Sequence, residues 1–389
     1  MVSTRSLHAA SETAQGFYLR ASNFGGYRVE RILSTGSLGA VVSARHLVRD
    51  EVVVIKLLHP DLCHDPVSIA RMSREAHVLA HIASERVVRL LDTGWTAEVG
   101  PYVVLEHLVG MDLQRMLETS GPLPLPLAVD YVLQACEGLA VAHASGIIHR
   151  DVKPENLFAL RGGSSPQLKL LDFGIAQHGP ESFPYREIAE QSLEGPLLGT
   201  PAYMSPERIQ ESPSDDQRSD IWSLGVVLHE LVTGRALFGR GDQAETCERV
   251  LSHSFELETN YEVLPPPLRA VIARCLARRP ADRYQSVEEL AAALRRNVAL
   301  PESWRGTLTG KFSRPALVRE ASTLRQFPSP PRRVSSAAAW LRSRWGFGAW
   351  LTVALATAAL AGGLMAKLQQ RAEVVVPAAA ADAPAAPAQ

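Results

Sequence analysis

The hydrophobic pattern of this chain changes from strand-like to mainly helical beyond Met111. Before that point, alternating and β-branched runs predict strands at 27–33, 40–44, 52–55, 87–91 and 101–106. One helix interrupts them, because Asp65 and Pro66 are typical of a helix start and apolar residues follow at helical spacing. Longer amphipathic stretches then predict helices at 126–145, 219–234, 266–278 and 286–297. We therefore predict an α+β fold with a small β-rich lobe, a larger α-helical lobe and a ligand cleft between them.

Composition divides the chain into five segments. We predict an N-terminal extension at 1–26, a globular domain at 27–298, a basic disordered linker at 299–344, a transmembrane helix at 345–366 and an Ala/Pro-rich tail at 367–389. The extension lacks the apolar core of a signal peptide. The linker carries nine Lys or Arg residues against two Glu and is rich in Pro and Ser, which is typical of an unfolded segment.

Residues 345–366 carry no charged side chain. As a helix they are about 33 Å long, enough to cross a hydrocarbon layer of about 30 Å. Basic residues are more frequent before this segment than after it. The positive-inside rule therefore predicts a single-pass protein of the plasma membrane or bacterial inner membrane, with the globular domain in the cytoplasm. The alternative is a buried helix of a soluble protein. Homodimerisation through the span is open, although the span has no G-x-x-x-G motif.

Charge and cysteine content exclude other classes of protein. The chain has 40 Lys or Arg and 41 Asp or Glu, so its net charge of −1 argues against a nucleic-acid partner. Its four cysteines are far apart without CxxC spacing, which argues against a structural zinc site and a disulfide framework. Such cysteines are expected to be small buried side chains in a reducing compartment.

Four short motifs follow one another in the globular domain. They are Lys56 after a β-branched run, the string His149-Arg150-Asp151-Val152-Lys153-Pro154-Glu155-Asn156, the triplet Asp172-Phe173-Gly174 and the triplet Ser205-Pro206-Glu207. Each motif alone occurs by chance in many proteins, whereas the ordered set is specific. Over residues 27–298 the chain resembles the eukaryotic-like Ser/Thr protein kinases of bacteria, which have a two-lobed fold.

The resemblance implies a catalytic centre that uses ATP and Mg²⁺, with Mn²⁺ as an alternative metal ion. In this family, the residue at the position of Asp151 orients the acceptor hydroxyl and accepts its proton, and the residue at Lys153 reaches the γ-phosphate. Asn156 and Asp172 correspond to the metal ligands, since a carboxamide and a carboxylate suit a hard cation.

The resemblance places the remaining nucleotide contacts in the small lobe. Lys56 would hold the α- and β-phosphates and would be fixed by Glu75 on the predicted helix. The glycine loop keeps Gly36 and Gly39, but Ser34 replaces the first glycine of the family pattern. Backbone amides can still approach phosphates through Gly36, so this change weakens nucleotide binding at most. The implied contacts of the ATP base and its surroundings are Leu33, Val41, Val54, Leu105, Glu106 and Leu108.

Further matches concern the acceptor and the support of the site. Lys153 and Thr200 are typical of Ser/Thr kinases, and Thr200 is expected to bond Lys153 and the catalytic aspartate. Glu207 and Arg283 resemble the family's buried ion pair. Asp220 resembles the aspartate that supports the backbone of the catalytic loop. We expect these last three residues to be structural.

Regulation is the least determined part of the sequence. Arg150 precedes Asp151 and resembles the cation that pairs with a phosphorylated activation segment. Ser182 and Ser192 are our candidate autophosphorylation sites in that segment. Constitutive order and control by dimerisation are the alternatives.

The sequence therefore predicts a membrane-anchored kinase of bacterial signal transduction that phosphorylates Ser and Thr of protein partners and of itself. One alternative is a pseudokinase scaffold, which Ser34 favours slightly and the intact motif residues oppose. A second alternative is a small-molecule kinase of similar fold. The segment 199–207 argues against it, because in the family that element shapes a groove for a polypeptide.

Overall fold

A computed structural model describes six stretches of the chain, residues 23–162, 165–174, 199–212, 215–239, 241–252 and 264–298. The chain divides into two units, Met1–Pro328 and Ser329–Gln389, and every described residue belongs to the first. The predicted linker, transmembrane helix and tail, together with most of the N-terminal extension, lie outside the described residues.

The small lobe is built on an antiparallel sheet with the strand order β1-β2-β3-β4-β6-β5. The strands are β1 Asn23–Phe24, β2 Tyr27–Thr35, β3 Gly39–His46, β4 Val52–Leu58, β5 Leu90–Thr96 and β6 Gly100–Glu106. The prediction of a strand at 87–91 is wrong in its position. Val87 forms a parallel bridge with Leu170 and the Val88 amide donates to the Leu170 carbonyl (3.0 Å), so these two valines pair with the large lobe instead.

One helix, α1 Pro66–His81, packs against this sheet. Its start is as predicted, because the Asp65 carboxylate accepts a hydrogen bond from the Ser68 amide (2.9 Å) and Pro66 occupies the first turn. Apolar residues at helical spacing, such as Ile69 and Met72, are buried in the core that the helix shares with the large lobe. This helix therefore links the sheet to the cleft.

The large lobe is mainly helical, as predicted. Its helices are α2 Leu113–Ser120, α3 Leu125–Ala144, α4 Pro206–Ile209, α5 Arg218–Thr233, α6 Gln243–Ser252, α7 Pro266–Cys275 and α8 Val287–Asn297. The segments β7 Gly110–Asp112, β8 Leu157–Leu160 and β9 Gln167–Leu170 form a second sheet in the order β7-β8-β9. This sheet continues directly from the motif that ends at Asn156, so it positions that motif at the cleft.

Helix α3 is the core of the large lobe. Within the part of the chain that the structure describes, it is the one helix long and apolar enough to span a membrane, with a mean hydropathy of 1.3. However, 72% of that apolar window is buried inside the protein. Its composition is thus explained by packing against the neighbouring helices α5 and α8 and strand β9.

A buried ion pair joins distant parts of the large lobe, as the resemblance implied. Arg283 binds Glu207 through two parallel contacts of 2.6 and 2.7 Å, and its side chain is fully buried. The guanidinium carbon also lies 5.0 Å from the centroid of the Trp222 ring. Arg283 donates as well to the carbonyls of Ala277 and Arg218 (2.8 and 3.1 Å). The charge is therefore satisfied despite its burial.

All four cysteines lie among the described residues and none forms a disulfide. Cys63, Cys136 and Cys275 are buried, and Cys247 is half-buried. The prediction of small buried side chains thus holds for three of the four.

Candidate active site

The cleft between the lobes contains a cavity of about 460 Å³. Its lining includes the predicted residues Gly36, Gly39, Val41, Lys56, Glu75, Asp151, Lys153 and Asp172. Residues as far apart in sequence as Gly36 and Asp172, which are 136 positions apart, thus meet in one place. The lining thus combines charged side chains of both lobes with the glycine-containing turn between β2 and β3.

Lys56 is one of the cations that line this cavity. It lies on β4, and its ammonium nitrogen contacts the Glu75 carboxylate of α1 and lies 3.3 Å from Asp172 Oδ1. Glu75 is almost completely buried, whereas the side chain of Asp172 is 46% exposed. The three charges connect the sheet, the helix and the large lobe.

The pKa values of these groups reflect their mutual attraction. Burial opposes the charge of Lys56, but Asp172 and Glu75 raise the pKa of its ammonium well above the usual value. Burial raises the pKa of Glu75, against the attraction of Lys56. Desolvation also opposes the charge of Asp172, yet Lys56 and the Gly174 amide lower the pKa of this carboxyl. Lys56 and Asp172 therefore stay charged at neutral pH.

The loop before β8 holds Asp151 in a fixed orientation. Asn156 Nδ2 donates to the backbone carbonyl of Asp151 (2.7 Å) and to its Oδ2 (2.9 Å). The same Oδ2 lies 2.8 Å from Lys153 Nζ. Asp151 Oδ1 is near the site where a Cβ on Gly199 would stand, at 3.3 Å. One carboxylate oxygen is thus anchored, and the other faces the segment that begins at Gly199.

Buried groups hold the backbone of this loop. Asp220 on α5 accepts hydrogen bonds from the amides of His149 and Arg150 (3.0 and 2.8 Å) and contacts His143 Nε2 (2.8 Å). His149 Nδ1 accepts from the Asp151 amide (3.2 Å) and its Nε2 donates to the Leu171 carbonyl (3.0 Å). The resemblance assigned Asp220 this position, and its contacts agree.

Thr200 lies next to this loop. Lys153 Nζ donates to Thr200 Oγ1 at 3.2 Å, so Lys153 bridges Asp151 and Thr200. The expected bond between Thr200 and Asp151 is not found among the contacts of the described residues. Thr200 therefore contacts the loop that carries Asp151 through Lys153.

The two glycines between β2 and β3 have different surroundings. A Cβ on Gly39 would lie 1.8 Å from the carbonyl oxygen of Leu57, because β3 passes close to the backbone of β4. A Cβ on Gly36 would meet no atom within 4 Å. The turn is closed by a hydrogen bond from the Gly36 amide to the Gly39 carbonyl (2.8 Å). Gly36 is thus the position that leaves space for a ligand.

His59 contacts this turn from outside it and was not predicted from the sequence. Its Nε2 donates to the Gly36 carbonyl (2.7 Å), and its amide donates to the Leu38 carbonyl (3.0 Å). It follows β4 directly, so proximity to Lys56 in sequence was the only available signal. His59 fixes the turn from the side of β4.

Most residues predicted to contact the ATP base are not part of the lining of the cavity. Leu33, Val54, Leu105, Glu106 and Leu108 do not belong to its lining. Val54 and Leu105 are opposite each other on β4 and β6, and Leu105 is buried. The Glu106 amide already donates to the Arg89 carbonyl (3.0 Å). A bound base would therefore need the Glu106 carbonyl and not its amide.

Arg150 has an acidic partner within the described residues. Its guanidinium Nη2 lies 2.8 Å from Asp215 Oδ2, and both side chains are nearly buried. Ser182 and Ser192, the predicted phosphorylation sites, lie outside the described residues. Asp215 was missed by the sequence analysis, since no spacing rule connects it to Arg150.

Metal binding would rest on few ligands. Among the described residues there is no group of three or more His, Cys, Asp or Glu that could hold a metal ion. Asn156 uses its amide nitrogen on Asp151, which leaves its carbonyl oxygen as an acceptor. Asp172 likewise offers a charged carboxylate that is partly exposed. Two oxygen donors of this kind suit a cation that also binds phosphate oxygens.

Comparison with known proteins gives several relatives. The model of the family described as protein kinase domain matches residues 27–294. Serine/threonine-protein kinase Pkn1 of Myxococcus xanthus is 36% identical over 280 residues, which cover 72% of this chain and 39% of that protein. Serine/threonine-protein kinase PknB of Mycobacterium leprae is 34% identical over 273 residues, 69% of this chain and 42% of its own length.

A third relative matches a similar share of this chain. Serine/threonine-protein kinase PknE of Mycobacterium tuberculosis is 35% identical over 287 residues, 74% of this chain and 48% of that protein. The chain thus spans less than half the length of these three relatives. The family model covers well over half of the chain and both lobes of the described fold. The chain therefore belongs to the protein kinase domain family.

Proposed function

We propose that this chain is a serine/threonine protein kinase that transfers the γ-phosphoryl group of ATP to protein hydroxyls. The observation that carries the proposal is the convergence of Lys56, Asp151 and Asp172 on one cavity, with their predicted partners in contact. The names of the relatives support the same activity. In such a reaction the acceptor oxygen bonds to the γ-phosphorus, the bond to the β-phosphate oxygen breaks, and ADP leaves.

Asp151 is the residue that we propose as the proton acceptor. Asn156 and Lys153 fix one of its carboxylate oxygens, so the other is free to accept a hydrogen bond from the acceptor hydroxyl. Lys153 also carries a positive charge next to the place of transfer. It would stabilise the negative charge of the γ-phosphoryl group as the bond to ADP breaks.

Lys56 is proposed to bind the α- and β-phosphates. Glu75 and Asp172 keep its ammonium protonated and in place, and the open position at Gly36 brings backbone groups toward the phosphates. Val41 lines the same cavity and is proposed to pack on the base. Leu33, Val54, Leu105, Glu106 and Leu108 are proposed to complete the base pocket, with the Glu106 carbonyl as its polar contact.

Asn156 and Asp172 are the residues that we propose for Mg²⁺, with Mn²⁺ as the alternative. The free carbonyl oxygen of Asn156 and the ionised carboxylate of Asp172 match the preference of such ions for oxygen. When bound, the ion neutralises charge on the β- and γ-phosphates. The protein's part is to keep both oxygen donors oriented, which the Gly174 amide does for Asp172 (3.1 Å).

A phosphoryl-transfer assay tests the activity and the role of Asp151 together. The full chain, γ-labelled ATP, Mg²⁺ and a Ser/Thr-rich protein are mixed, and phosphoamino acids are analysed. We expect phosphoserine or phosphothreonine with the wild type and loss of nearly all label with Asp151→Asn. Asp61→Asn, the same change at an exposed carboxylate, is the control and should keep the wild-type rate.

The same assay separates the alternatives. A pseudokinase scaffold would bind nucleotide but transfer no phosphate in the wild type. A small-molecule kinase would label a small hydroxyl compound and leave proteins unlabelled. Label on tyrosine alone would contradict the proposed role of Thr200 beside Lys153.

Membrane anchoring is a second part of the proposal. It is supported by the uncharged run 345–366 and by the basic residues before it, which favour a cytoplasmic kinase domain. We expect the full chain to stay in the membrane fraction after carbonate extraction. A double change, Leu355→Arg with Leu360→Arg, should release it, since each arginine at the centre of a span costs about 3 kcal/mol. Release of the unchanged chain by carbonate would contradict the anchor.

Domain borders and partners complete the proposal. We propose the kinase domain at 27–298, protein substrates that carry Ser or Thr, autophosphorylation, and signal transduction at the plasma or bacterial inner membrane. Homodimerisation through the span 345–366 is the simplest way for one such anchor to bring two kinase domains together. Sedimentation of the full chain in detergent would reveal it as twice the monomer mass.

A further inference from the structure

The ion pair between Arg150 and Asp215 joins the catalytic loop to the segment before α5. The contact is 2.8 Å long, and the two side chains are only 11% and 13% exposed. Ion pairs withdrawn from water in this way are coupled more strongly than surface pairs, and the loss of one partner leaves an uncompensated charge. The pair is therefore a structural constraint on Arg150.

Arg150 is held at two points by the same stretch of chain. Its backbone amide donates to Asp220 Oδ1 (2.8 Å), and its side chain binds Asp215 five residues earlier. Its φ of 66° lies in the left-handed region, where a non-glycine residue needs such support. Because Asp151 follows directly, the orientation of Arg150 sets the path of the chain into the catalytic carboxylate.

A second arginine, Arg208, is attracted by the same carboxylate. Asp215 attracts Arg208 as well as Arg150, and the two arginines repel each other. Arg208 is also close to the catalytic segment, since a Cβ on Gly199 would stand 3.6 Å from its Nη2. Asp151 and Asp220 also attract Arg208, so the loss of Asp215 would leave less negative charge to offset the repulsion between the two guanidinium groups.

We infer that Asp215 is a positioning residue for phosphoryl transfer: its carboxylate takes the place at Arg150 that a phosphate on the activation segment was expected to fill. The inference rests on the proposed kinase activity. It follows that the enzyme needs no phosphate at Ser182 or Ser192 to order the catalytic loop. The carboxylate of Asp215 supplies the negative charge beside Arg150 as soon as the chain has folded.

Two polar atoms of the pair, Arg150 Nε and Asp215 Oδ1, are buried and have no hydrogen-bond partner in the described ranges. Only the arginine nitrogen can donate to a phosphate, because Asp215 Oδ1 is itself a negatively charged acceptor. A phosphate at Arg150 would therefore compete with Asp215. The experiment must accordingly separate a phosphate that is required from one that is merely tolerated.

The first arm removes every hydroxyl between Gly174 and Gly199. The full chain carrying Ser182→Ala, Tyr185→Phe and Ser192→Ala is assayed for initial rates of transfer to a Ser/Thr-rich protein. We expect a kcat within about twofold of the wild type, since Asp215 is intact. A fall on the order of tenfold would overturn the inference, because the required anion would then be a phosphate.

The second arm removes the carboxylate. In Asp215→Asn we expect kcat to fall on the order of tenfold while KM for ATP stays within about twofold. Asp215→Glu should recover at least half of the lost rate, which a mere packing role would not produce. Asp216→Asn is the matched control, because Asp216 pairs with Arg218 (2.6 Å) and has no such role.

The outcomes are distinguishable from failure of the proposed function. A wild type that transfers no phosphate to any protein ends both proposals. An active wild type with an unaffected Asp215→Asn variant ends only the role of Asp215. Should Asp215→Asn not fold, as judged by its melting curve, the first arm decides alone, because it leaves every described residue unchanged.

Discussion

At the scale of single residues, one amino acid type serves two purposes in the turn between β2 and β3. Gly39 is required by a neighbouring strand, since any side chain would collide with the Leu57 carbonyl. Gly36 has open space around it and is proposed to face the phosphates. The resemblance treats both as phosphate-loop glycines, so only the packing of β3 on β4 separates their roles.

We expect Gly39→Ala to destabilise the protein by about 1–3 kcal/mol, as an overpacked site does. Gly36→Ala is the matched control and should change stability by less than about 0.5 kcal/mol while raising KM for ATP. Urea unfolding of both variants measures the first effect, and a nucleotide titration of the rate measures the second. Equal stability of the two variants would contradict this assignment.

Some site residues cannot be identified from the sequence, because their contacts form only in the folded chain. Lys56, Asp151, Asn156 and Asp172 could be found because they belong to ordered motifs of the family. His59 and Asp215 could not, since their partners Gly36 and Arg150 lie 23 and 65 residues away without a fixed pattern. Such residues occur where the folded backbone brings a partner within reach. Their type is not dictated by the chemistry of the reaction, so no motif marks them.

At the scale of elements, the start of α1 matters for the site because this helix carries Glu75. The Asp65 cap accepts from both the hydroxyl and the amide of Ser68 (2.6 and 2.9 Å). These bonds, against some burial, lower the pKa of Asp65. The charged form is therefore stabilised by folding, and the gain exists above the unfolded value of 3.8 and disappears as the pH falls below it.

Replacing the cap should weaken the small lobe. We expect Asp65→Ala to cost about 1 kcal/mol at pH 7, and Asp65→Asn to cost less because it keeps an acceptor. The difference between wild type and Asp65→Asn should be constant well above 3.8 and should shrink as the pH falls below that value. Urea midpoints measured on both sides of 3.8 would show this, and a difference that stays the same below 3.8 would refute the role of the charge.

The elements show where pattern reading succeeds and where it fails. The start of α1 follows from its capping residue, and the long helices of the large lobe follow from apolar periodicity. The strand at 87–91 was misplaced because Val87 and Val88 are β-branched and buried but pair with Leu170 of the other lobe. Periodicity detects burial, but it does not identify the partner that causes it.

At the scale of the whole molecule, the contribution of an ion pair to stability depends on how deeply the pair is buried. Arg283 and Glu207 connect the segment after the cleft to the end of the large lobe with almost no solvent access. Arg274 and Glu289 form a pair of similar length, 2.7 Å, on the surface of the same lobe. The two pairs allow a direct comparison within one protein.

We expect Arg283→Met to destabilise the protein by about 3–5 kcal/mol, because Glu207 is then buried without its partner. Arg274→Met should cost less than about 1 kcal/mol, as exposed pairs do. Calorimetric melting of both variants would test this. Comparable melting temperatures for the two would mean that the buried pair does not hold the lobe together.

The state of the thiols has a consequence for spectroscopy. Burial raises the pKa of Cys63, Cys136, Cys247 and Cys275, so little reactive thiolate is present at neutral pH. An alkylating dye would accordingly prefer one engineered thiol at the rim of the cavity, such as Ser37→Cys, over the native ones. A fluorophore attached there could report the binding and release of a nucleotide in real time. The four native cysteines would not have to be replaced first.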